Sequence, residues 1–428
     1  MIKILLTILA SLAMFSTDWE IGKGGTGISD AVLSDWCNHG ICYATDGYAA
    51  GQAAISVVTL DGHAPTFGKV TQHRGALGVS GLQEGDYLLF TVPVGKLRKG
   101  TDVDFMLTLD ANGPDAPERW ACEILDGGEW RGEFRPYSFY TKYMKSDEHA
   151  TYTHTFTLRK AVKGKLQIRV RVAAPVQSST DYTYLVPFDF HTCSICAYPG
   201  IKAKDSHKVG VLGNSFTYFY GSAFMLKQIA RSQGHTLDMH ISLKGGQYFR
   251  QHLKLGQSQA VIRDGGYDWF ILQDQSQQHA FYYARGKEDV LPETREMAQE
   301  IRRYSPECSI ILENTWPNPQ GDWSGFGSLD AYGSALSNGA ASLAADPQIA
   351  AEVSPVGVAF MNAYKAGITD LYHTDGHHQN RTGSYLKACV HYLFLFGGDF
   401  DGNVPDCGVD PVLAAQLRRI ARQTVIGD

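Results

Sequence analysis

The hydrophobic pattern of this 428-residue chain changes its period near residue 200. Before that point, apolar and polar residues alternate in short segments, which is the pattern of strands with one buried face. The clearest segments are residues 53–60, 86–92, 102–109, 151–158 and 166–172. Turns rich in Gly and Asp separate them, with no long helical run between, so we expect an antiparallel β-sandwich or jelly-roll-like domain.

After residue 207, short apolar runs alternate with amphipathic stretches, as in 209–213 followed by 216–232. Alternation of strand and helix predicts an α/β domain with a mostly parallel sheet, whose ligands bind beyond the carboxyl ends of the strands. The segment AYPGIKAKDSH lacks periodicity and separates the two patterns. We therefore predict domains at 18–200 and 205–428. The first is either a carbohydrate-binding module or a packed structural partner of the second.

Charge and the N-terminal residues restrict the partners and the location. The formal net charge is -6, and no Lys/Arg-rich stripe is present that could neutralise a phosphate backbone, so nucleic acid is not expected to bind. Lys3 precedes an apolar run that suits a secretory signal and is too short to span a bilayer. We predict a signal segment at 1–17, a periplasmic or secreted product, and no stable membrane insertion after the signal is removed.

Eight cysteines accompany this predicted export. Cys37 and Cys42 flank a short polar loop and form the best local pair for a disulfide. Cys193 and Cys196 form a C-x-x-C without the βαβ context of a redox motif, so a structural use is expected.

Ser215 stands at a junction that suits a nucleophile. It lies in VGVLGNSFTYF, directly after the first apolar strand of the second domain and before an amphipathic helix. Backbone N–H groups at such a helix start favour developing negative charge. A serine that only caps the helix explains the same position.

Asp375 and His378 stand close together in TDGHHQNRTG, near the other end of this domain. At this spacing the carboxylate can bind one imidazole nitrogen while the other faces a serine. A turn-capping Asp375 beside surface histidines is the structural alternative. A zinc site formed by His373, Asp375 and the adjacent His377 and His378 is a second alternative, although its spacing matches no motif with a clear mechanism.

These two motifs together resemble the SGNH, or GDSL-like, hydrolase superfamily over residues 208–398. GNS at 213–215 is similar to the family's first block, and DGHHQNRTG is similar to its last block, D-G-x-H-x-N-x-x-G. The resemblance implies a catalytic triad of Ser215, Asp375 and His378. It also implies a three-layer, flavodoxin-like α/β sandwich around a five-stranded parallel sheet.

The intermediate blocks of the family supply the oxyanion hole. SLKGGQ resembles the Gly block, so Gly245, or else Gly246, is expected to donate its N–H beside that of Ser215. Where the family usually has G-x-N-D, this chain has LQDQS, which resembles the third block of a subgroup of bacterial SGNH-like proteins. Gln275 replaces the Asn, and its amide can donate a hydrogen bond as Asn does.

The function expected from these features is ester hydrolysis through an acyl-enzyme, with no metal and no organic cofactor required. The resemblance to exported carbohydrate esterases suggests acetyl or other short acyl groups on a glycan as the substrate, with Trp316 and Trp323 as sugar-binding side chains. A lipid or thioester hydrolase of the same fold is the alternative. A glycan-binding protein without turnover is a further one.

Overall fold

The computed structural model describes residues 15–19, 28–70, 76–111, 113, 115–117, 119–132, 150–173, 181–185, 193–199, 201–319 and 325–427. The chain divides into two compact units, Met1–Lys202 and Ala203–Asp428. We refer to them as the β-rich unit and the α/β unit. Among the described residues, no helix combines the length and the apolar character needed to cross a membrane.

In the residues that the structure describes, the β-rich unit contains strands and one helix. In chain order the elements are β1 (Phe15–Trp19), α1 (Asp30–His39), β2 (Ile41–Tyr43), β3 (Asp46–Gly47), β4 (Ala54–Val58), β5 (Thr66–Val70), β6 (Ala76–Ser80), β7 (Tyr87–Leu97), β8 (Asp102–Ala111), β9 (Trp120–Asp126), β10 (Glu129–Arg131), β11 (Ala150–Thr157), β12 (Val162–Val172), β13 (Thr183–Leu185) and β14 (Cys193–Tyr198).

These strands form two antiparallel sheets with a shared apolar core. One sheet has the order β3-β1-β14-β8-β13-β6-β5, with β11 also paired to β8, and the other has the order β10-β9-β12-β7-β4-β2. Alternate residues of β7 are buried, and Phe90 from this strand meets Phe105 from the other sheet at a ring-centroid distance of 5.1 Å. The packing is that of a two-sheet sandwich.

The N-terminal end of this unit bears on the predicted signal segment and on the cysteines. Residues 1–14 lie outside the described part of the chain, whereas Phe15–Trp19 pairs with Cys193–Ala197 of β14. The predicted segment 1–17 therefore overlaps β1 by three residues. The expected disulfide between Cys37 and Cys42 is absent, because both are free thiols, one exposed and one buried.

The α/β unit alternates strands and helices. Its elements are β15 (Asp205–Gly213), α2 (Ser215–Tyr218), α3 (Ser222–Ser232), β16 (His235–Leu243), α4 (Phe249–His252), α5 (Gly256–Asp264), β17 (Trp269–Leu272), α6 (Gln278–Arg285), α7 (Val290–Tyr304), β18 (Ser309–Glu313), α8 (Leu329–Ala344), β19 (Glu352–Ser354), α9 (Val356–Lys365), α10 (Arg381–Phe396) and α11 (Pro411–Val425).

The five strands of this unit form a parallel sheet in the order β16-β15-β17-β18-β19. Val211 and Leu212 point to opposite faces of β15, and both are buried, so helices cover the sheet on both sides. The expected α/β class with a five-stranded parallel sheet is what the structure shows. We call the edge where the strands end the carboxyl edge, and the edge where they begin the amino edge.

Candidate active site

Ser215 follows the carboxyl end of β15 as the first residue of α2. The N-cap of this helix is Asn214, whose side-chain oxygen accepts a hydrogen bond from the N–H of Phe216 at 3.1 Å. Because Asn214 performs the capping, the alternative role of Ser215 as the helix cap does not apply. Its hydroxyl is free to serve another partner.

The hydroxyl of Ser215 is the first group of a hydrogen-bonded chain that continues through a histidine to a carboxylate. Its Oγ is 2.8 Å from Nε2 of His378, and Nδ1 of the same ring is 2.7 Å from Oδ2 of Asp375. The structure therefore brings together the three residues singled out from the sequence. Both ring nitrogens of His378 are engaged, which leaves none for the alternative zinc site.

Asp375 is held by its own loop. Its Oδ1 accepts hydrogen bonds from the backbone N–H groups of His377 and His378, at 2.9 and 3.0 Å. Partial burial alone would raise the pKa of Asp375. The hydrogen bonds from the His378 ring and from these two N–H groups outweigh that effect and lower the pKa to about 2. The carboxylate is thus ionised at neutral pH and can stabilise a protonated His378.

The loop that carries Asp375 and His378 is closed at its base. His373 N–H donates to the carbonyl of His378 at 2.8 Å, and Gly376 has the positive φ of 65° that this tight turn requires. Asn380 then caps α10 by accepting from the N–H of Gly383 at 3.0 Å. A side chain on Gly383 would meet the carbonyl oxygen of Leu371 at 2.3 Å. These contacts explain the Asn and the last Gly of the D-G-x-H-x-N-x-x-G pattern.

Two phenylalanines that follow Ser215 orient the His378 ring. Phe219 stacks on it at a centroid distance of 4.2 Å and an interplanar angle of 7°, and Phe216 meets it edge-on at 5.5 Å. His377 has a different environment, with its ring 4.7 Å from that of Phe216. Burial, together with the nearby His378, lowers the pKa of His377 to about 4, so this ring is neutral near pH 7.

Gln273 ties the loop after β17 to the nucleophile turn. Its side-chain oxygen accepts hydrogen bonds from the N–H of Asn214 at 2.9 Å and from the hydroxyl of Thr217 at 3.0 Å. A Cβ on Gly213 would lie 2.7 Å from the hydroxyl oxygen of Thr217 and 2.9 Å from the side-chain oxygen of Gln273. Glycine is therefore required at 213 so that these groups can reach the turn. The sequence offered no signal for this role of Gln273.

The predicted oxyanion donors occupy the same edge of the sheet. Gly245 lies in the turn after β16, and the preceding Lys244 N–H donates to the carbonyl of Gly213 at 3.1 Å, which fastens this turn to the strand that leads to Ser215. Within the described residues, neither the N–H of Ser215 nor that of Gly245 has a hydrogen-bond acceptor. Both are available to bind an anionic oxygen.

Gln275 uses its amide within its own loop. Its side-chain oxygen accepts from the N–H of Gln277 at 3.0 Å, and its side-chain nitrogen donates to the hydroxyl of Ser276 at 3.3 Å. Its expected role as the third oxyanion donor stays a prediction. The contacts show a second role, which is to stabilise the loop before α6.

A buried charged network that the sequence analysis missed lies directly behind the nucleophile turn. Lys387 Nζ donates to the carbonyl of Phe216 at 2.8 Å and pairs with Glu313 at 2.8 Å. Glu313 also binds Nε2 of His391 at 2.9 Å, and the other ring nitrogen of His391 is 3.0 Å from the Ser354 hydroxyl. Burial opposes ionisation of Glu313, but the charge of Lys387 and the hydrogen bond to His391 lower its pKa.

Trp316 does not have the position expected for a sugar-binding side chain. Only 1% of it is exposed, and its ring lies between Phe216 and Phe360 at centroid distances of 4.3 and 4.4 Å. Its indole N–H donates to the carbonyl of His377 at 3.2 Å. The prediction for Trp316 is therefore wrong, because both faces are covered by protein. Trp323 lies outside the described residues.

No family model and no curated protein matches the chain. Among solved structures, a DUF4886 family protein from Bacteroides uniformis is 19% identical, with a TM-score of 0.45, 52% of this chain covered and 95% of the other. The acetylxylan esterase Axe2 from Geobacillus stearothermophilus is 16% identical, with a TM-score of 0.33, 47% of this chain covered and 99% of the other. Protein YXIM from Bacillus subtilis is 16% identical, with a TM-score of 0.38 and coverage of 81% and 89%.

SGNH and GDSL-like hydrolases are also among the matching structures. At these identities and TM-scores the likeness adds no argument about activity. The case for the site rests on the contacts around Ser215.

Proposed function

We propose that this chain is an exported serine esterase that removes acetyl or other short acyl groups from carbohydrate substrates. The observation that carries the esterase part is the continuous relay from Ser215 through His378 to Asp375, with spacings of 2.8 and 2.7 Å. A hydroxyl, an imidazole and an ionised carboxylate in this order are the components of a serine nucleophile activated by a general base.

Acylation begins when Nε2 of His378 accepts the proton of the Ser215 hydroxyl. Ser215 Oγ then attacks the ester carbonyl, and the carbon becomes tetrahedral. Asp375 holds the imidazole in the required tautomer and stabilises the imidazolium that forms. His378 next donates its proton to the leaving alcohol, which departs and leaves an acyl-enzyme on Ser215.

The tetrahedral intermediate carries a full negative charge on the former carbonyl oxygen. We assign the N–H groups of Ser215 and Gly245 as donors to this oxygen, and the Gln275 amide as the third donor. Donors already directed at the oxygen stabilise the transition state without reorganising during the reaction. The hydrogen bonds of Gln273 and Lys387 support this arrangement because they hold the turn that carries Ser215.

Deacylation repeats these steps with water in place of the alcohol. His378 removes a proton from the water, the water oxygen attacks the acyl carbon, and Ser215 leaves with the proton returned by His378. Asp375, His378 and Ser215 thus supply the proton transfers of both half-reactions.

The substrate part of the proposal rests on the resemblance to exported carbohydrate esterases and on the β-rich unit that precedes the α/β unit. Export rests on the apolar run after Lys3. A β-sandwich is an architecture that many sugar-binding modules share, so this part is an argument by analogy.

The test measures acetate release from a panel of acetylated polysaccharides, beside hydrolysis of aryl esters with increasing acyl length. We expect acetate release and a preference for the shortest aryl esters, and Ser215→Ala should abolish both. Ser34→Ala, at an exposed serine of α1, is the matched control and should retain both. A preference for long acyl chains would indicate lipid hydrolysis instead. Binding of glycans without any turnover would indicate a non-catalytic protein.

A further inference from the structure

A second cluster of His and Asp side chains lies at the amino edge of the parallel sheet. Asp205 is the first residue of β15, His207 follows two residues later, and His235 is the first residue of β16. Asp205 and His235 are directly paired in the parallel register, and side chains two apart on a strand point to the same face. Ser215 lies beyond the other end of β15, which is about 26 Å away at ~3.3 Å per residue.

The spacing of this cluster suits a small divalent cation. Asp205 Oδ1 is 2.8 Å from Nδ1 of His235 and 3.3 Å from Nε2 of His207. One ligand atom from each of the three residues lies within 4.8 Å of the others. A four-coordinate zinc ion with bonds of about 2.0–2.1 Å separates its ligand atoms by roughly 3.3 Å. Small side-chain rotations would therefore complete the site.

Aromatic side chains already orient both imidazoles. His235 stacks on Phe396 at a centroid distance of 3.9 Å, and His207 packs against Trp269 at 4.4 Å and against Phe396 at 5.6 Å. Phe396 is the last residue of α10, so the ring that packs against both imidazoles belongs to a long, mostly buried helix. Rings held in this way lose little freedom when they bind a ligand.

A second carboxylate stands behind His207. The Nδ1 atom of this ring, which is the nitrogen not facing Asp205, lies 3.9 Å from Oδ2 of Asp268. Lys208 N–H donates to the same oxygen at 2.8 Å and holds it there. Histidines that bind a metal usually have a carboxylate or carbonyl near their other ring nitrogen, which sets the tautomer. Two carboxylates also make the cluster attractive to a cation.

A plain ion pair accounts for part of this arrangement, since one protonated histidine would satisfy Asp205. The β-rich unit contains a simpler arrangement of this kind, in which one histidine, His63, contacts the carboxylates of Asp61 and Asp86. Two imidazoles around one carboxylate are different, because three possible ligand atoms then converge within 4.8 Å of one another. Two imidazole nitrogens and one carboxylate oxygen form a donor set that zinc prefers.

We propose that Asp205, His207 and His235 bind one zinc ion, with a water molecule at the fourth position. Within the described parts of the chain, this is the one group in which three His, Cys, Asp or Glu side chains converge closely enough to share a metal. The ion would join the starts of β15 and β16 and would take no part in the chemistry at Ser215. The proposal does not depend on the esterase assignment.

The test titrates Zn²⁺ into the metal-free full-length protein and follows heat and thermal unfolding. We expect one saturable site per chain, a dissociation constant in the micromolar range or below, and a higher Tm in the presence of zinc. Asp205→Asn and His235→Gln keep the size and polarity of the side chains and should weaken binding at least tenfold. His63→Ala, at the His–Asp pair with a single imidazole, is the matched control and should bind zinc like the wild type.

Equal zinc affinity in the wild type, Asp205→Asn and His235→Gln would overturn the proposal, as would the absence of saturable binding in the wild type. If a variant does not fold, imidazole NMR signals of the wild type decide the question. Zinc should shift the signals of His207 and His235. Shifts confined to His373, His377 and His378 would also overturn the proposal, because they would locate the ion near Ser215.

Discussion

The two edges of the parallel sheet in the α/β unit carry the same pair of side chains in different settings. At the carboxyl edge, His378 lies between the carboxylate of Asp375 and the hydroxyl of Ser215. At the amino edge, His207 and His235 both face the carboxylate of Asp205. The difference lies in what surrounds the carboxylate and the second ring nitrogen. A His–Asp pair therefore does not define a chemistry until those neighbours are known.

The largest effect is expected when the His378–Asp375 pair at the carboxyl edge is broken by a substitution that keeps the shape of the Asp375 side chain. Asp375→Asn should lower kcat by about 10⁴-fold, because the amide cannot hold the imidazole in the tautomer that accepts the Ser215 proton. KM should change little. The measurement is steady-state hydrolysis of an aryl acetate, with Asp61→Asn as the control at the exposed His–Asp pair of the β-rich unit. A loss below tenfold in Asp375→Asn would mean that His378 works without this carboxylate.

A smaller but still large effect is expected for the buried network behind Ser215. Lys387→Met leaves the buried carboxylate of Glu313 with His391 as its remaining partner. The change should lower the free energy of unfolding by about 3–5 kcal/mol. Urea unfolding measures this loss. Lys365→Met is the control, since the Lys365–Asp330 pair is exposed and contributes at most about 1 kcal/mol.

The double variant Lys387→Met/Glu313→Gln removes the buried charge as well as its partner. We expect it to regain part of the lost stability. A Lys387→Met protein within about 1 kcal/mol of the wild type would show that the network does not hold the nucleophile turn.

The third prediction separates two neighbouring glutamines of the same loop. Gln275→Ala should lower kcat by roughly a hundredfold with KM nearly unchanged, the usual result of losing one oxyanion donor. Gln277→Ala, two residues later, should have little effect on kcat. Near-normal kcat with a lower Tm in Gln275→Ala would leave Gln275 with the loop contacts described above as its only role.

The smallest effect concerns a third histidine environment. His252 is wholly buried beneath the nucleophile turn, with Nε2 3.1 Å from the carbonyl of Gly213 and Nδ1 2.8 Å from the Ser258 hydroxyl. Burial lowers its pKa from 6.5 to about 4. Between these two values the unfolded chain binds a proton that the folded chain does not. Stability therefore falls as the pH decreases through this window and the loss is complete below pH 4.

His252→Gln should reduce this acid-dependent loss by at most ~3.5 kcal/mol, because each pKa unit corresponds to about 1.4 kcal/mol and the pKa of His252 is lowered from 6.5 to about 4. Urea unfolding at several pH values across the window measures it. The same pH slope in the variant and in the wild type would mean that His252 does not contribute. His279, which is also buried with its pKa lowered to about 4, should keep a residual slope in both proteins.

The features that could be predicted from the sequence are those encoded over a few adjacent residues. Alternating hydrophobicity located β4, β7, β8, β11 and β12 to within a few residues. Ser215 was singled out because it lies just after a strand, and Asp375 with His378 because only two residues separate them in one loop. The sequence did not predict α1 (Asp30–His39), whose weak apolar periodicity falls before the first clear strand pattern.

The features that could not be predicted depend on contacts between distant segments. The position of Trp316 in a loop after a strand suggested a side chain that could bind sugar, but the rings of Phe216 and Phe360 cover both of its faces. Lys387 reads as one polar residue of an amphipathic helix, and only the fold brings it to Glu313, 74 positions earlier in the chain. The role of Gln273 likewise depends on a distant contact, because its side-chain oxygen accepts a hydrogen bond from the N–H of Asn214, 59 positions earlier in the chain.

The most direct test of the central claim is intact and peptide mass spectrometry after treatment with a fluorophosphonate. The account predicts one adduct per chain, on Ser215, formed quickly in the wild type and at least a thousandfold more slowly in Asp375→Asn, where the general base is no longer oriented. Ser215→Ala should show no adduct. An adduct on another residue, or undiminished labelling in Ser215→Ala, would contradict the assignment of Ser215 as the nucleophile.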